Sequence, residues 1–354
     1  YEIRNCDWSS DVCSSDLADF VTLRNLTLTG AGMGLWVRED SSNFLGNRLV
    51  SSGNTTDGIR IDSAIGSLSD SVAFANGGTG LALTNPGAAR VEANRVYGNR
   101  NGITVSNSTT GDPTVIGNAD LSLARGNLVS GNLEKGIQAD GNVLVVGNTV
   151  WDQSTSSGVG IDLLWNGWGI DPEARSNVVY DNSTGIRTDS YVANSRIVGN
   201  RVFHNTGDGI KAYRNTTVSG NVVYSNAIGI NLPYSWSFAG EVSNNLVYAN
   251  SNQGIRLDHG DGARLTNNTV YQPVGNAVQV EGGSANTTLR NNILWVESGY
   301  NISVASDSAW PWVAPWCGSP RCSCLMSRCP TWTQSCAWKC APSFACCIAG
   351  WAPP

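Results

Sequence analysis

The sequence predicts an all-β solenoid of short stacked strands. Three observations carry this: a repeat of about 21 to 24 residues, apolar pieces too short for helices, and many Asn and Gly residues with only 14% charged. The repeat is plain in NRVYGNRNGITV from Asn94, NRVFHNTGDGIKA from Asn200, NVVYSNAIGINL from Asn221 and NLVYANSNQGIRL from Asn245. Each reads Asn, any, apolar, aromatic, any, Asn, a short spacer, Gly, Ile, any, apolar. Anchors fall at Asn25, Asn47, Ser71, Asn94, Asn127, Asn148, Asn177, Asn200, Asn221, Asn245, Asn268 and Asn292, giving about 12 rungs. The steps after Asn94 and Asn148 are longer, at 33 and 29 residues.

Within a rung, pieces such as ARVEAN, NRVYGN and GITV alternate apolar and polar residues over three to five positions, the period of a strand. Three such strands and three turns make one coil, and stacked coils pair at about 4.8 Å, a rod of roughly 55 to 60 Å. Ile and Val at inward positions form aliphatic columns. Asn is expected to take the left-handed backbone of a sharp corner and to bond the Asn one rung away. Gly before Ile is expected to supply a second strained corner.

This pattern resembles the right-handed parallel β-helix superfamily over residues 18–309. The resemblance implies a right-handed single-stranded parallel β-helix, secreted, periplasmic or at the cell surface. That superfamily includes pectate lyases, polygalacturonases, alginate epimerases and phage tailspikes, so it implies a protein that binds or processes a polysaccharide, with a uronic-acid glycan as one expected ligand. The alternative is a surface or adhesive solenoid with no enzymatic activity, because one fold hosts many functions. A leucine-rich horseshoe is excluded by the missing LxxLxLxxN phase.

The net charge of −6 and pI near 5.0 give no basic footprint, which argues against a nucleic-acid partner. No run of 18 apolar residues offers a membrane span, and a monomer is expected. Only two His and no repeat Cys are present, so a solenoid-built copper or zinc site is not expected; Ca²⁺ held by Asp and carbonyl groups stays open.

In such a solenoid the core is dry, so chemistry belongs to outward positions and turns. The residue after Gly-Ile runs Arg60, Ala82, Thr104, Gln138, Asp162, Arg187, Lys211, Asn231, Arg256 and Gln279. Asp162, Arg187 and Lys211 form an acid and two bases on successive rungs and are the candidate catalytic row. Cations beside a base would suit a uronate, whose carboxylate must be neutralised before its α-proton is removed. The next outward positions add Asp189, Tyr213 and Asp258, and with Arg256, His259, Trp165 and Trp168 these are candidate substrate-binding residues. An equally simple reading makes the charges a solvated face of cross-strand pairs.

The piece WGIDPEARS, Trp168 to Ser176, resembles the Gly-hydrophobic-Asp-Pro-His motif of alginate C5-epimerases, but Glu173 stands where that motif has His. The aromatic column Trp151, Tyr180, Phe203, Tyr224, Tyr248, Tyr271 and Trp295 is expected to stabilise the stack rather than bind sugar.

Both ends depart from the repeat. Residues 7–17, DWSSDVCSSDL, resemble a translated sequencing adapter, so residues 1–17 are set apart as an assembly scar. Residues 310–354 hold eight Cys, six Trp and seven Pro with no Asp, Glu or Asn, which suits an out-of-frame translation; a small disulfide-stapled module is the alternative. The first residue is Tyr, and the chain reads as a fragment without its signal peptide.

Overall fold

The computed structural model describes residues 14–15, 20–38, 43–62, 66–165, 167, 170–235 and 237–314. Most of both unusual ends, including all ten Cys, lies outside the described residues. Two short strands inside those ends are described: Ser14–Ser15 pairs with Leu35–Val37, and Trp312–Ala314 pairs with Thr288–Arg290.

The chain coils as predicted. Every third strand pairs in parallel with its equivalent one turn on, and among the described residues this yields three sheets of 13, 13 and 12 strands. The first sheet runs through Asn101–Asn107, Lys135–Gly141, Val159–Leu164, Thr184–Thr188, Asp208–Lys211, Ile228–Leu232 and Gln253–Asp258. The only helical piece among the described residues is a 3-10 turn, Leu121–Leu123, inside the longer step after Asn94. No helix of these residues is long and apolar enough to cross a membrane.

Three aliphatic columns fill the interior. Ile103, Ile137, Ile161, Ile186, Ile210 and Ile230 line the first sheet, each 0% exposed, while Val96 to Val247 line the third. Burying each such side chain is worth about 1.5 to 3 kcal/mol.

Two buried asparagine ladders stand at the corners either side of the third sheet. In one, Nδ2 of Asn94, Asn127, Asn148, Asn177, Asn200, Asn221, Asn245 and Asn268 each donates to Oδ1 of the next member at 2.8 to 3.0 Å. In the other, Asn54, Asn76, Asn99, Asn182, Asn205 and Asn226 do the same at 2.8 to 3.2 Å. Gln153 and Gln272 replace Asn in two of its rungs, each accepting the backbone N–H of the preceding member.

The structure corrects three expectations here. The left-handed corner belongs to the residue before most ladder Asn residues: Ala93, Ser176 and Asn244 precede members of one ladder, and Asp181, His204 and Ser225 members of the other, all with φ between 55° and 56°. That residue turns outward, whereas the ladder Asn must keep its amide inside. The Gly before Ile lies in an ordinary strand, and space is what demands it. A Cβ on Gly185 would sit 2.5 Å from Gly209 O and 2.9 Å from Asn205 Nδ2. In the first rungs the ladder position is held by Leu26 and Leu49 rather than Asn25 and Asn47; Leu49 is fully buried and its N–H donates to Ser71 Oγ.

The face-to-face stack is also present. Trp151, Tyr180, Phe203, Tyr224 and Tyr248 stack with centroids 4.8 to 5.9 Å apart and planes within 9°. Trp295 meets Tyr271 tilted at 60°. Stacked rings use their faces on one another and show only edges to solvent.

Asn200→Ala strips an acceptor from the Asn177 main-chain and side-chain N–H groups and a donor from Ala174 O. It is expected to cost on the order of 3 kcal/mol or more in urea unfolding, because each buried unmet group costs about 1 to 3 kcal/mol.

Candidate functional site on the first sheet

The outward column after Gly-Ile keeps the register expected from the sequence. Gln138, Asp162, Arg187, Lys211, Asn231, Arg256 and Gln279 are successive Cα partners. What they do is set by the columns on either side.

Asp162 is fully buried although it points outward, because its neighbours close over it. Arg187 forks onto it, Nε to Oδ1 at 2.9 Å and Nη2 to Oδ2 at 2.6 Å, and Lys135 Nζ reaches Oδ2 at 3.0 Å. Lys135 also donates to Gln138 Oε1 at 2.7 Å. Hydrogen bonding to Asp162 holds the Arg187 guanidinium above its already high pKa. A carboxylate whose two oxygens are held by two cations has little room for a metal, and its guanidinium partner is poorly placed to grip a uronate.

Lys211 stands 4.0 Å from Asp208, which accepts from Asn231 Nδ2 at 2.9 Å. Burial pushes the Asp208 carboxyl up, against the pull of Asn231, Lys211 and Arg256. Arg256 spans three acceptors: Glu281 at 2.6 Å through Nε, Asp258 at 2.9 Å through Nη2, and Asn231 Oδ1 at 3.3 Å. His259 Nδ1 lies 2.6 Å from Asp258 Oδ1. Gly282 leaves room for that pair, since a Cβ there would fall 2.1 Å from Asp258 Oδ1 and 2.3 Å from His259 Nδ1.

At the C-terminal edge of the five first-sheet strands from Val159–Leu164 to Gln253–Asp258 stands a row of rings: Trp165, Tyr191, Tyr213, Tyr234 and His259. Trp165 stacks on Tyr191 at 5.9 Å, and Tyr234 meets His259 at 4.1 Å with the rings tilted by 46°; Trp165, Tyr191 and Tyr234 are 45%, 51% and 66% exposed. Tyr213 stands between the two pairs, half-buried, its N–H on Thr188 Oγ1. Asp189, at the start of the Tyr191 turn, accepts from Tyr191 N–H at 3.1 Å. Trp168 lies outside the described residues.

All the other predicted site residues therefore share one strip. Reading the sequence missed Lys135, Asp208, Tyr191 and Tyr234. Lys135 and Asp208 directly precede the Gly of Gly-Ile, and the rings follow the outward residue by two to four positions, so both columns carry a sequence signal.

Further along this face, Ala82 and Thr104 are short between Arg60 and Gln138. They leave a shallow depression of about 250 Å³ that is also lined by Asp57, Thr79, Thr84 and Ser106. Among the described residues no three His, Cys, Asp or Glu side chains gather as a metal site. The Asp-Pro motif lies off this face: Asp171 accepts from Asn194 N–H at 2.7 Å, and Glu173 opens a second-sheet strand.

A family model described as right handed beta helix region matches residues 12–172 and 173–294. The chain belongs to the right-handed β-helix family. This β-helix is similar in structure to the A-module of Azotobacter vinelandii mannuronan C-5 epimerase AlgE4, at 11% identity over 86% of this chain and 91% of that one, with a TM-score of 0.55. It is also similar to the periplasmic alginate epimerase AlgG (16% identity, 84% and 79% covered, TM-score 0.36). The receptor-binding tailspike protein of bacteriophage Det7 is a third (12% identity, 88% and 75% covered, TM-score 0.43). At these identities the likeness concerns the fold alone. No curated protein matches the sequence.

Two predictions test the strip's electrostatics. Arg187→Ala leaves buried Asp162 with Lys135 alone and is expected to cost about 3 kcal/mol in urea unfolding; Asp162→Leu with Arg187→Met should recover most of it, since a buried pair is costly to halve but not to replace. Folded Asp208 keeps its proton to higher pH than the unfolded chain does. Its contribution is thus full below the ordinary carboxylate value of about 3.9 and fades as pH rises through its higher folded value. The stability of wild type relative to Asp208→Asn should therefore fall as pH rises across that window.

Proposed function

We propose that the protein binds a polysaccharide lengthwise along the outward face of the first sheet, outside the cytoplasm, where such polymers lie. The observation that carries this reading is the ring row. Five successive rungs each set one ring beside a polar column, over roughly 19 Å at about 4.8 Å per rung, close to the advance of a pyranose chain per residue. Trp165, Tyr191 and Tyr234 remain exposed despite their ring contacts and offer stacking area to the apolar side of a sugar, and the neighbouring amides and charged groups meet its hydroxyls.

The pairing of charges narrows the ligand. Arg187 and Arg256 are committed to acids on their own face. An uncharged chain thus fits better than a uronate, whose carboxylates would have to break those pairs. The depression between Arg60 and Gln138 continues the strip and would extend the bound chain.

Affinity electrophoresis through gels holding laminarin, mannan, galactan, xylan, alginate or polygalacturonate tests this. Retention by at least one neutral polymer is expected, weakened about tenfold by Trp165→Ala and by Tyr234→Ala. Tyr224→Ala, in the closed stack, should leave retention unchanged while costing about 1 to 2 kcal/mol of stability. Retention by the acidic polymers alone, or by none, contradicts the reading.

A further inference from the structure

The ring row stops at Trp165, and on that side the floor of the strip drops. Along the column after Gly-Ile, Trp36, Arg60, Ala82, Thr104, Gln138 and Asp162 are successive Cα partners. Ala82 and Thr104 are the short members, and the depression of about 250 Å³ lies over them. In the neighbouring outward column the same two rungs carry Thr84 and Ser106. The hydroxyls of Thr84 and Thr104 and the Nε2 of Gln138 have no partner among the described residues. The two charged groups that line the depression, Arg60 and Asp57, face each other at 3.8 Å. The floor therefore offers hydroxyl and amide groups without an uncompensated charge.

The far side is barred. Trp36 Nε1 and Arg60 Nε both donate to Asp62 Oδ2, each at 2.8 Å. Asp62 stands in the second outward column, one rung beyond Trp36, so the indole reaches across the face from one column to the other. The Arg38 guanidinium covers the indole at 4.9 Å from its centre, so this ring does not continue the exposed row. Asp57 Oδ1 accepts the Thr79 N–H at 2.8 Å and fixes the acid that faces Arg60. A ring and a guanidinium, both tied down, thus rise directly beside the methyl group of Ala82.

We propose that the depression is an end subsite: it receives the terminal residues of a neutral polysaccharide and stops the chain against Trp36 and Arg60, an inference that rests on the binding reading above. From Ala82 to Arg256 the open strip runs over eight rungs. That is roughly 34 Å at about 4.8 Å per rung, the length of about seven sugar residues. A chain whose end seats on Ala82 and Thr104 uses this whole length. An internal stretch of polymer has a further residue where the wall stands, and must leave the floor before reaching it. The extra hydroxyl of a terminal residue, by contrast, meets unpaired hydroxyl and amide groups that would otherwise bond only water.

Isothermal titration of the full chain with size-fractionated linear chains of a retained neutral polymer tests this. Affinity is expected to rise with length up to about seven residues and then level off. One protein is expected per chain at every greater length, because a chain has one end of a given polarity. Ala82→Trp and Thr104→Trp fill the depression from outward positions, and each is expected to weaken binding of a chain of about seven residues at least tenfold by the clash it builds. Urea midpoints near that of wild type would show that these losses are not misfolding. Trp36→Ala with Arg60→Ala removes the wall, and several copies per long chain are then expected. Copies that rise with chain length in wild type, a double variant that still binds one per chain, or wild-type affinity in both filling variants overturns the inference and leaves the binding reading standing. No retention of any polymer overturns both.

Discussion

The asparagine ladders hold this molecule in register. Parallel strands of three residues have few backbone hydrogen bonds each, and aliphatic columns alone would tolerate a slip along the chain. A ladder Asn does not tolerate it. Its Oδ1 accepts from both the backbone and side-chain N–H of the rung before, and its Nδ2 donates to the rung after, so a misplaced rung would leave several polar groups buried and unmet. The two ladders flank the third sheet, and the face-to-face ring stack on that sheet adds a second device with the same period.

Register inside fixes register outside. Because the Gly at the head of each first-sheet strand from Gly34 to Gly229 packs against a ladder amide, the next outward residue on those rungs arrives at the same place. Charges in neighbouring columns then meet at hydrogen-bond distance, which is how Asp162 comes to be enclosed by Lys135 and Arg187. The same precision leaves the turn after each strand free to vary, and five turns use that freedom to present a ring. A rigid polar floor with a varied aromatic edge suits a polymer with a repeat near the rung spacing better than it suits a small ligand.

The fold was legible because a repeat states its period many times over, and the outward column after Gly-Ile could be counted residue by residue. The corners were assigned less well. Asn suits both a left-handed turn and a hydrogen-bonded ladder, and the sequence alone does not separate Asn94, which ladders, from Asn244, which turns. The candidate site was half legible. Counting one column found Asp162, Arg187 and Lys211, but the partners that settle their roles, Lys135 and Asp208, precede the Gly in a column that was not counted. Tyr191 and Tyr234 lie in turns of unequal length, where alignment by strand gives no fixed position.

The proposed polysaccharide surface is the first-sheet strip rather than the larger ring stack of the third sheet. Hydrogen–deuterium exchange with and without saturating amounts of a retained polymer tests it most directly. Added protection is expected in the turns carrying Trp165, Tyr191, Tyr213, Tyr234 and His259, and none on the strands from Trp151 to Tyr248 in the third sheet. Protection confined to the third-sheet strands would contradict it.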